Sequence, residues 1–160
     1  MKIKAEFMTF DNFSTYGSFF DMLEDKMYVK HFQNEVYNDH MTDTPLIDTN
    51  GHLGYTYGSA APYICTVMEK HDHTQEAIFC AGEPIILCVA KSANDELPLS
   101  ENIRAFILQP GQVAVINRNI WHDACRGLHK RCNYYYLATA GRMPAEWKNV
   151  AGIASIEIDN

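Results

Sequence analysis

From Leu53 onward, apolar residues fall in short runs separated by turn residues. This is the pattern of a chain built from many short strands. Residues 55–57 and 63–73 read as strands on either side of a Gly- and Pro-bounded turn. Residues 77–80 are short and apolar and stop at Gly82 and Pro84. The run IILCVA at 85–90 is apolar throughout, as expected of a strand covered on both faces. Residues 104–108 and 112–117 read as strands joined by a tight turn at Pro110 and Gly111. Residues 134–138 form another strand after a loop at 123–133. Residues 92–102 are a polar excursion. The tail, 143–160, is expected to hold a helical turn near 145–150 and a last strand at 153–158.

The first third is patterned differently. Residues 27–37 alternate between two faces, which favours a strand. Residues 10–24 open with Asp11 or Asn12 as a helix cap. A short helix or turn follows, and then a segment laid against the core by Phe10, Phe13, Phe19 and Phe20. Residues 38–51 are rich in Asp, Thr and Asn and read as a loop.

Composition narrows the class. A chain of 160 residues with 47% hydrophobic and 12% aromatic side chains is expected to be one folded domain over 1–160. Its formal charge of -7 argues against nucleic acid or an anionic membrane surface as partner. A small anionic substrate stays open, because a local Lys or Arg cluster can hold an anion whatever the total. The cysteines number five, form no CxxC and lie mostly in apolar runs, the usage of reduced, structural thiols in a cytoplasm. The start reads without a signal peptide, and no apolar run approaches the length of a membrane span. Many aromatic residues in the first third lead us to expect a homodimer.

The chemistry concentrates in residues 68–82, MEKHDHTQEAIFCAG. His71 and His73 lie two apart, and Glu76 follows three further on. If the strand runs on to residue 73, side-chain alternation puts His71 and His73 on one face with Glu69. A slight bend then brings the Glu76 carboxylate to the same point. A second stretch, PGQVAVINRNIWH at 110–122, reads as a partner strand, a turn and one more histidine. His71, His73, Glu76 and His122 are thus candidate ligands for a divalent metal ion, Zn, Ni, Mn or Fe. The rival reading is a metal-free polar pocket. Glu69 is either a salt-bridged strand carboxylate or a base inside the barrel. Trp121 is core packing or a wall of the site. Tyr134 and Tyr136 share a face, for which packing in the sheet is the expected role. His31, His40, His52 and His129 are expected at the surface.

These residues resemble the two motifs of the cupin fold. The first stands here as His71-x-His73-x2-Glu76-x5-Gly82, with two gaps one residue shorter than usual and no leading glycine. The second is Gly111-QVAVI-NRN-IW-His122, with its spacing intact and Asn117, Arg118 and Asn119 in place of PxG. Asn takes the left-handed turn conformation that Gly otherwise serves.

The chain is also similar to the ureidoglycolate lyase family of cupin-like proteins. The similarity rests on ordered blocks: Glu69-Lys70-His71, TQEAIF at 74–79, ILCVA at 86–90, RAF at 104–106, PGQV at 110–113 and Trp121-His122-Asp123. An early FSTYG at 13–17 matches the family's start. Lys70 replaces the family's usual Arg, and Asp123 and Ala124 replace His-Pro.

The resemblance implies an all-β, cupin-type β-barrel or jelly roll with a short N-terminal α/β extension. It implies an enzyme that cleaves ureidoglycolate to glyoxylate and urea in purine catabolism, or acts on a similar small hydroxy acid. Glu69, Glu76 and His122 are then the expected catalytic groups. Lys70, Gln75, Arg104, Arg118 and Trp121 are the expected substrate contacts. Two other readings stay open: another metal-dependent cupin enzyme, such as a sugar isomerase or dioxygenase, and a non-catalytic ligand-binding cupin.

Overall fold

The computed structural model describes residues 1–92, 97–141 and 147–158. The chain opens with β1 (Lys2–Lys4), β2 (Glu6–Phe7) and a one-turn helix, α1 (Phe10–Phe13). Next come β3 (Gly17–Asp21), β4 (Val29–Gln33), β5 (Asn38–Thr42), β6 (His52–Gly58) and β7 (Tyr63–Met68). The run continues through β8 (Glu76–Cys80), β9 (Ile85–Ala90), β10 (Ile103–Leu108) and β11 (Gln112–Ile116). It ends with β12 (Trp121–His122), β13 (Arg126–Gly127), β14 (Cys132–Ala138) and β15 (Lys148–Glu157).

These strands stack in layers as a cupin-type β sandwich. The middle sheet runs β12-β9-β10-β2, with β13 also on β9. All six residues of β9 are buried, because this strand is covered on both faces as its apolar run predicts. Ile86, Cys88 and Ala90 face a small outer sheet, β1-β15-β7, and pack on Ile3, Cys65, Met68 and Ile156. Ile85, Leu87 and Val89 face the five-stranded sheet β3-β11-β8-β14-β6 and pack on Ile78, Ala114, Ile116 and Tyr134. Leu46 and Ile47 strap the far face of that sheet. The remaining two strands, β4 and β5, form a sheet by themselves.

Several sequence expectations change. The expected strand at 63–73 ends at Met68, because the chain must cross there from the outer sheet to β8 in the five-stranded sheet. His71 and His73 therefore lie on a crossing segment, and period-two alternation does not place them. Residues 38–51 are not all loop: β5 pairs with β4 in register, His40 opposite His31. Cross-strand pairing overrides the polar composition there. The helix cap is Thr9, not Asp11 or Asn12; Thr9 and Asn12 form a capping box. Phe13 is fully buried, while Phe10 stays exposed. Residues 148–150 of the expected helical turn belong to β15. Residues 145–146 of that turn, and residues 93–96 of the polar excursion, lie outside the described residues. All five cysteines are free thiols. Among the described residues no helix is long and apolar enough to cross a membrane.

Candidate active site

Backbone pairing zips the two motif stretches together. Glu69 and His122 form an antiparallel bridge, with Glu69 N–H donating to the His122 carbonyl at 2.9 Å and His122 N–H returning to Glu69 at 2.8 Å. Asn119 adopts φ 63°, so the NRN turn uses asparagine where the motif usually has glycine. The Asn119 N–H then donates to the His71 carbonyl at 2.7 Å. The turn thus fixes where the crossing segment carries His71. Glu76 enters from the first position of β8.

The side chains converge on one point. Ligand atoms of Glu69, His71 and His122 all lie within 4.8 Å of one another. Glu76 Oε2 sits 3.2 Å from His71 Nε2 and 3.5 Å from His122 Nε2. His122 Nδ1–H donates to the Ile120 carbonyl at 2.9 Å. That bond fixes the ring and turns Nε2 toward the cavity. There Nε2 is buried and makes no hydrogen bond. An orphaned imidazole nitrogen beside a second histidine and a carboxylate is a donor set that fits a divalent ion. His73 lines the same cavity, its ring centroid 5.8 Å from that of His71, but its nitrogens are outside this group: Nε2 donates to the Thr139 carbonyl at 3.2 Å and the ring packs beside Gly141.

Burial and charge set the protonation states. Burial pushes the Glu69 carboxyl up, against the pull of His122 and His71. Burial also pushes Glu76 up, but the close approach and charge of His122 and His71 outweigh it and hold Glu76 down at about 2. Burial lowers His122, yet the Glu76 carboxylate beside it raises it above the ordinary histidine value. Glu76 thus stays ionised, while the Glu69 carboxyl is held above its ordinary range. Asp123 also lines the cavity, and burial raises its carboxyl.

The expected substrate contacts go elsewhere. Arg104 pairs with Glu6 and lies over the Phe106 ring. Arg118 Nη1 donates to Asp48 Oδ2 at 3.0 Å. Gln75 accepts from the Asp48 N–H and donates to Asn117, tying two loops. Trp121 is buried in the packing between the middle and outer sheets, with Lys70 Nζ 4.8 Å above its ring. None of these five lines the cavity. Linear proximity to the histidines misled here, because neighbours in a strand alternate faces and neighbours in a loop point outward.

The cavity, about 450 Å³, opens on the inner face of the five-stranded sheet. His52, Gly54 and Thr56 of β6 line it, as do Tyr134 and Tyr136 of β14. Sequence reasoning gave the tyrosines to sheet packing and His52 to the surface; both readings hold, and all three side chains line the cavity as well. The alternation of β14 and β6, paired in register, was the signal for both. The Tyr134 hydroxyl accepts from the Cys125 N–H at 3.2 Å, which anchors that ring in the floor. Tyr136 depends on its cross-strand partner Gly54: a Cβ at 54 would lie 1.9 Å from Cζ of the ring. Gly54→Ala therefore drives the ring into the cavity. We expect a stability loss of about 1–3 kcal/mol and weakened ligand binding, read by thermal melting and titration. Gly82→Ala, where no atom lies within 4 Å, is the neutral control.

Comparison with known proteins adds three findings. A family model described as ureidoglycolate lyase matches residues 1–153. A ureidoglycolate lyase of Rhodobacter capsulatus is 34% identical over 80 residues, 47% of this chain and 48% of that protein. The matched stretch thus spans about half of that relative's length. Among solved structures, the rmlC epimerase of Mycobacterium tuberculosis superposes with TM-score 0.50 at 10% identity, covering 83% of this chain and 78% of that one. A dTDP-4-dehydrorhamnose 3,5-epimerase from Elizabethkingia anophelis gives TM-score 0.48 at 10% identity, over 72% and 68% of the two chains. At such identities the M. tuberculosis likeness speaks for the fold alone, and it agrees with the layered sandwich described above.

Proposed function

The chain belongs to the ureidoglycolate lyase family, and from that premise we propose that its cavity cleaves ureidoglycolate to glyoxylate and urea. The observation that carries the reading is the convergence of Glu69, His71 and His122, with Glu76 behind them, around a His122 nitrogen that makes no hydrogen bond.

The substrate carries a hydroxyl and a ureido nitrogen on one carbon. Cleavage moves the hydroxyl proton off oxygen, makes the C=O of glyoxylate, breaks the C–N bond and leaves its electron pair on nitrogen. Nitrogen then takes one proton to give urea. One carboxylate can serve both transfers, taking the proton from oxygen and returning it to nitrogen, so no net proton is consumed. Glu69 suits that shuttle, because burial raises its carboxyl and brings its proton exchange closer to neutral pH. Glu76 keeps its charge and holds the His71 and His122 rings in place.

The cavity lining includes three carboxylates, Glu69, Glu76 and Asp123, and no Lys or Arg among the described residues. An anionic substrate therefore needs a counter-charge. A divalent ion held by Glu69, His71 and His122 would supply it, receiving the substrate carboxylate and lowering the hydroxyl pKa. A bound ion would lower the Glu69 carboxyl again, so the shuttle would then run through its second oxygen without the raise that burial gives in the ion-free site.

The test is incubation of the purified protein with ureidoglycolate, following glyoxylate and urea together. We expect equimolar products, with loss of rate after chelation and recovery on adding back a divalent ion. Ammonia in place of urea, or no turnover with any ion tried, contradicts the proposal.

A further inference from the structure

The cavity is larger than the substrate proposed for it. Its volume is about 450 Å³. Ureidoglycolate has roughly nine non-hydrogen atoms and, even at a water molecule's share of about 30 Å³ for each, fills about 270 Å³. Cavities from about 300 Å³ upward enclose ligands of drug size. The walls of the remaining space say what would fill it.

Strand register places that space. Across the five-stranded sheet Glu76 stands opposite Ala138, and Ala138 opposite His52. One pleat along, Ile78 stands opposite Tyr136, and Tyr136 opposite Gly54. The histidine and carboxylate group sits at the Glu76 end of the first row. Beside it Ala138 offers only a methyl group, so a bay opens between Ile78 and the Tyr136 ring, which lies against Gly54. Trp147 also lines the cavity and is 42% exposed, an indole left partly in water. Among the described residues no Lys or Arg lines the cavity. An uncharged apolar group suits this bay, and a second anionic group does not.

We propose that the site takes ureido hydroxy acids whose distal ureido nitrogen carries an uncharged apolar or aromatic group. This rests on the cleavage reading above. In that reading the substrate carboxylate and hydroxyl lie at Glu69, His71 and His122. The distal nitrogen faces away from them and directs its substituent into the bay. There an aromatic group packs on Tyr136. The bond changes are those of the unsubstituted substrate. The hydroxyl proton leaves oxygen, the C=O of glyoxylate forms, and the C–N bond breaks with its electron pair and one proton going to nitrogen. The products are glyoxylate and a monosubstituted urea.

Calorimetry with two analogues that cannot be cleaved tests the bay apart from the reaction. Ureidoacetate and N′-benzylureidoacetate lack the hydroxyl whose proton the cleavage requires. With Mn²⁺ in excess, the benzyl analogue is expected to bind about tenfold more tightly or better. Equal or weaker binding overturns the bay. Ala138→Leu sends its longer side chain into the bay and is expected to cut the preference to about twofold or less, with ureidoacetate as the reference. Gly54→Ala, which moves the Tyr136 ring, should cut it likewise and stands in if Ala138→Leu fails to fold. A preference kept in the folded variants overturns the assignment of the benzyl group to this bay. Turnover is followed separately with ureidoglycolate and N′-benzylureidoglycolate. Cleavage of both, with the lower KM for the benzyl compound, is expected. Cleavage of neither, beside a retained binding preference, overturns the reaction while the bay stands. Cleavage of ureidoglycolate alone makes the benzyl compound an inhibitor and overturns the substrate class.

Discussion

Under the proposed reaction, Glu69→Gln is expected to lower turnover of ureidoglycolate by about 100- to 10,000-fold, the range spanned by loss of a general acid–base group. The amide keeps the shape of the side chain and removes its capacity to take a proton. The fold should survive, because the bridge between residues 69 and 122 is made by backbone atoms alone. Assayed with divalent ion in excess, because the amide is also a weaker ligand, the loss should appear in kcat with an unchanged circular dichroism spectrum and a melting temperature within a few degrees of wild type. Turnover within threefold of wild type would remove Glu69 from the proton path.

The second large effect is on stability. Glu76 is a buried charge beside His71 and His122, and Glu76→Gln removes the nearest counter-charge of His122, leaving only the Glu69 carboxylate near it. Breaking such a pair costs about 3–5 kcal/mol, read by denaturant unfolding with chelator present so that no ion contributes. The pair also shapes the pH dependence of the wild type. Glu76 is held at about 2 in the fold against 4.5 for the free group. Its contribution is full above pH 4.5 and is lost as pH falls toward 2. His122 is held above its ordinary 6.5. Its contribution is full below pH 6.5 and fades as pH rises through the folded value. The metal-free protein is thus expected to gain most from this pair between about pH 4.5 and 6.5, and Glu76→Gln to flatten both limbs. An unchanged acid limb in the variant would show that Glu76 is not the group that titrates.

Much of the fold was legible in the sequence for one reason: β9 through β11 are buried strands whose runs and turns are set by local pattern. The six-residue apolar run 85–90 matches β9 residue for residue. The asparagine in place of glycine at 119 was legible too, because a left-handed turn has few substitutes. The site was harder. His71, His122, Glu69 and Glu76 could all be named from spacing, but not which of them share one point. Period-two reasoning added His73 to the ligand set and kept Glu69 only as a base, whereas a change of sheet after Met68 turns His73 toward Thr139 and leaves Glu69 facing His122. The lining tyrosines and Gly54 are set by the pairing of β14 with β6, strands far apart in sequence. The arginines were misplaced because a cation's neighbours, Glu6 for Arg104 and Asp48 for Arg118, come from distant segments.

The choice between Glu69–His71–His122 and a set that includes His73 is the centre of this account, and one pair of variants decides it. Urea release from ureidoglycolate would be measured on His73→Ala and His71→Ala beside the wild type. The geometry predicts that His73→Ala keeps turnover within a few-fold, since its ring hydrogen-bonds a carbonyl outside the group. His71→Ala, which removes a member of the group, should lose nearly all of it. Loss of turnover in a folded His73→Ala, with His71→Ala still active, would contradict the site described here.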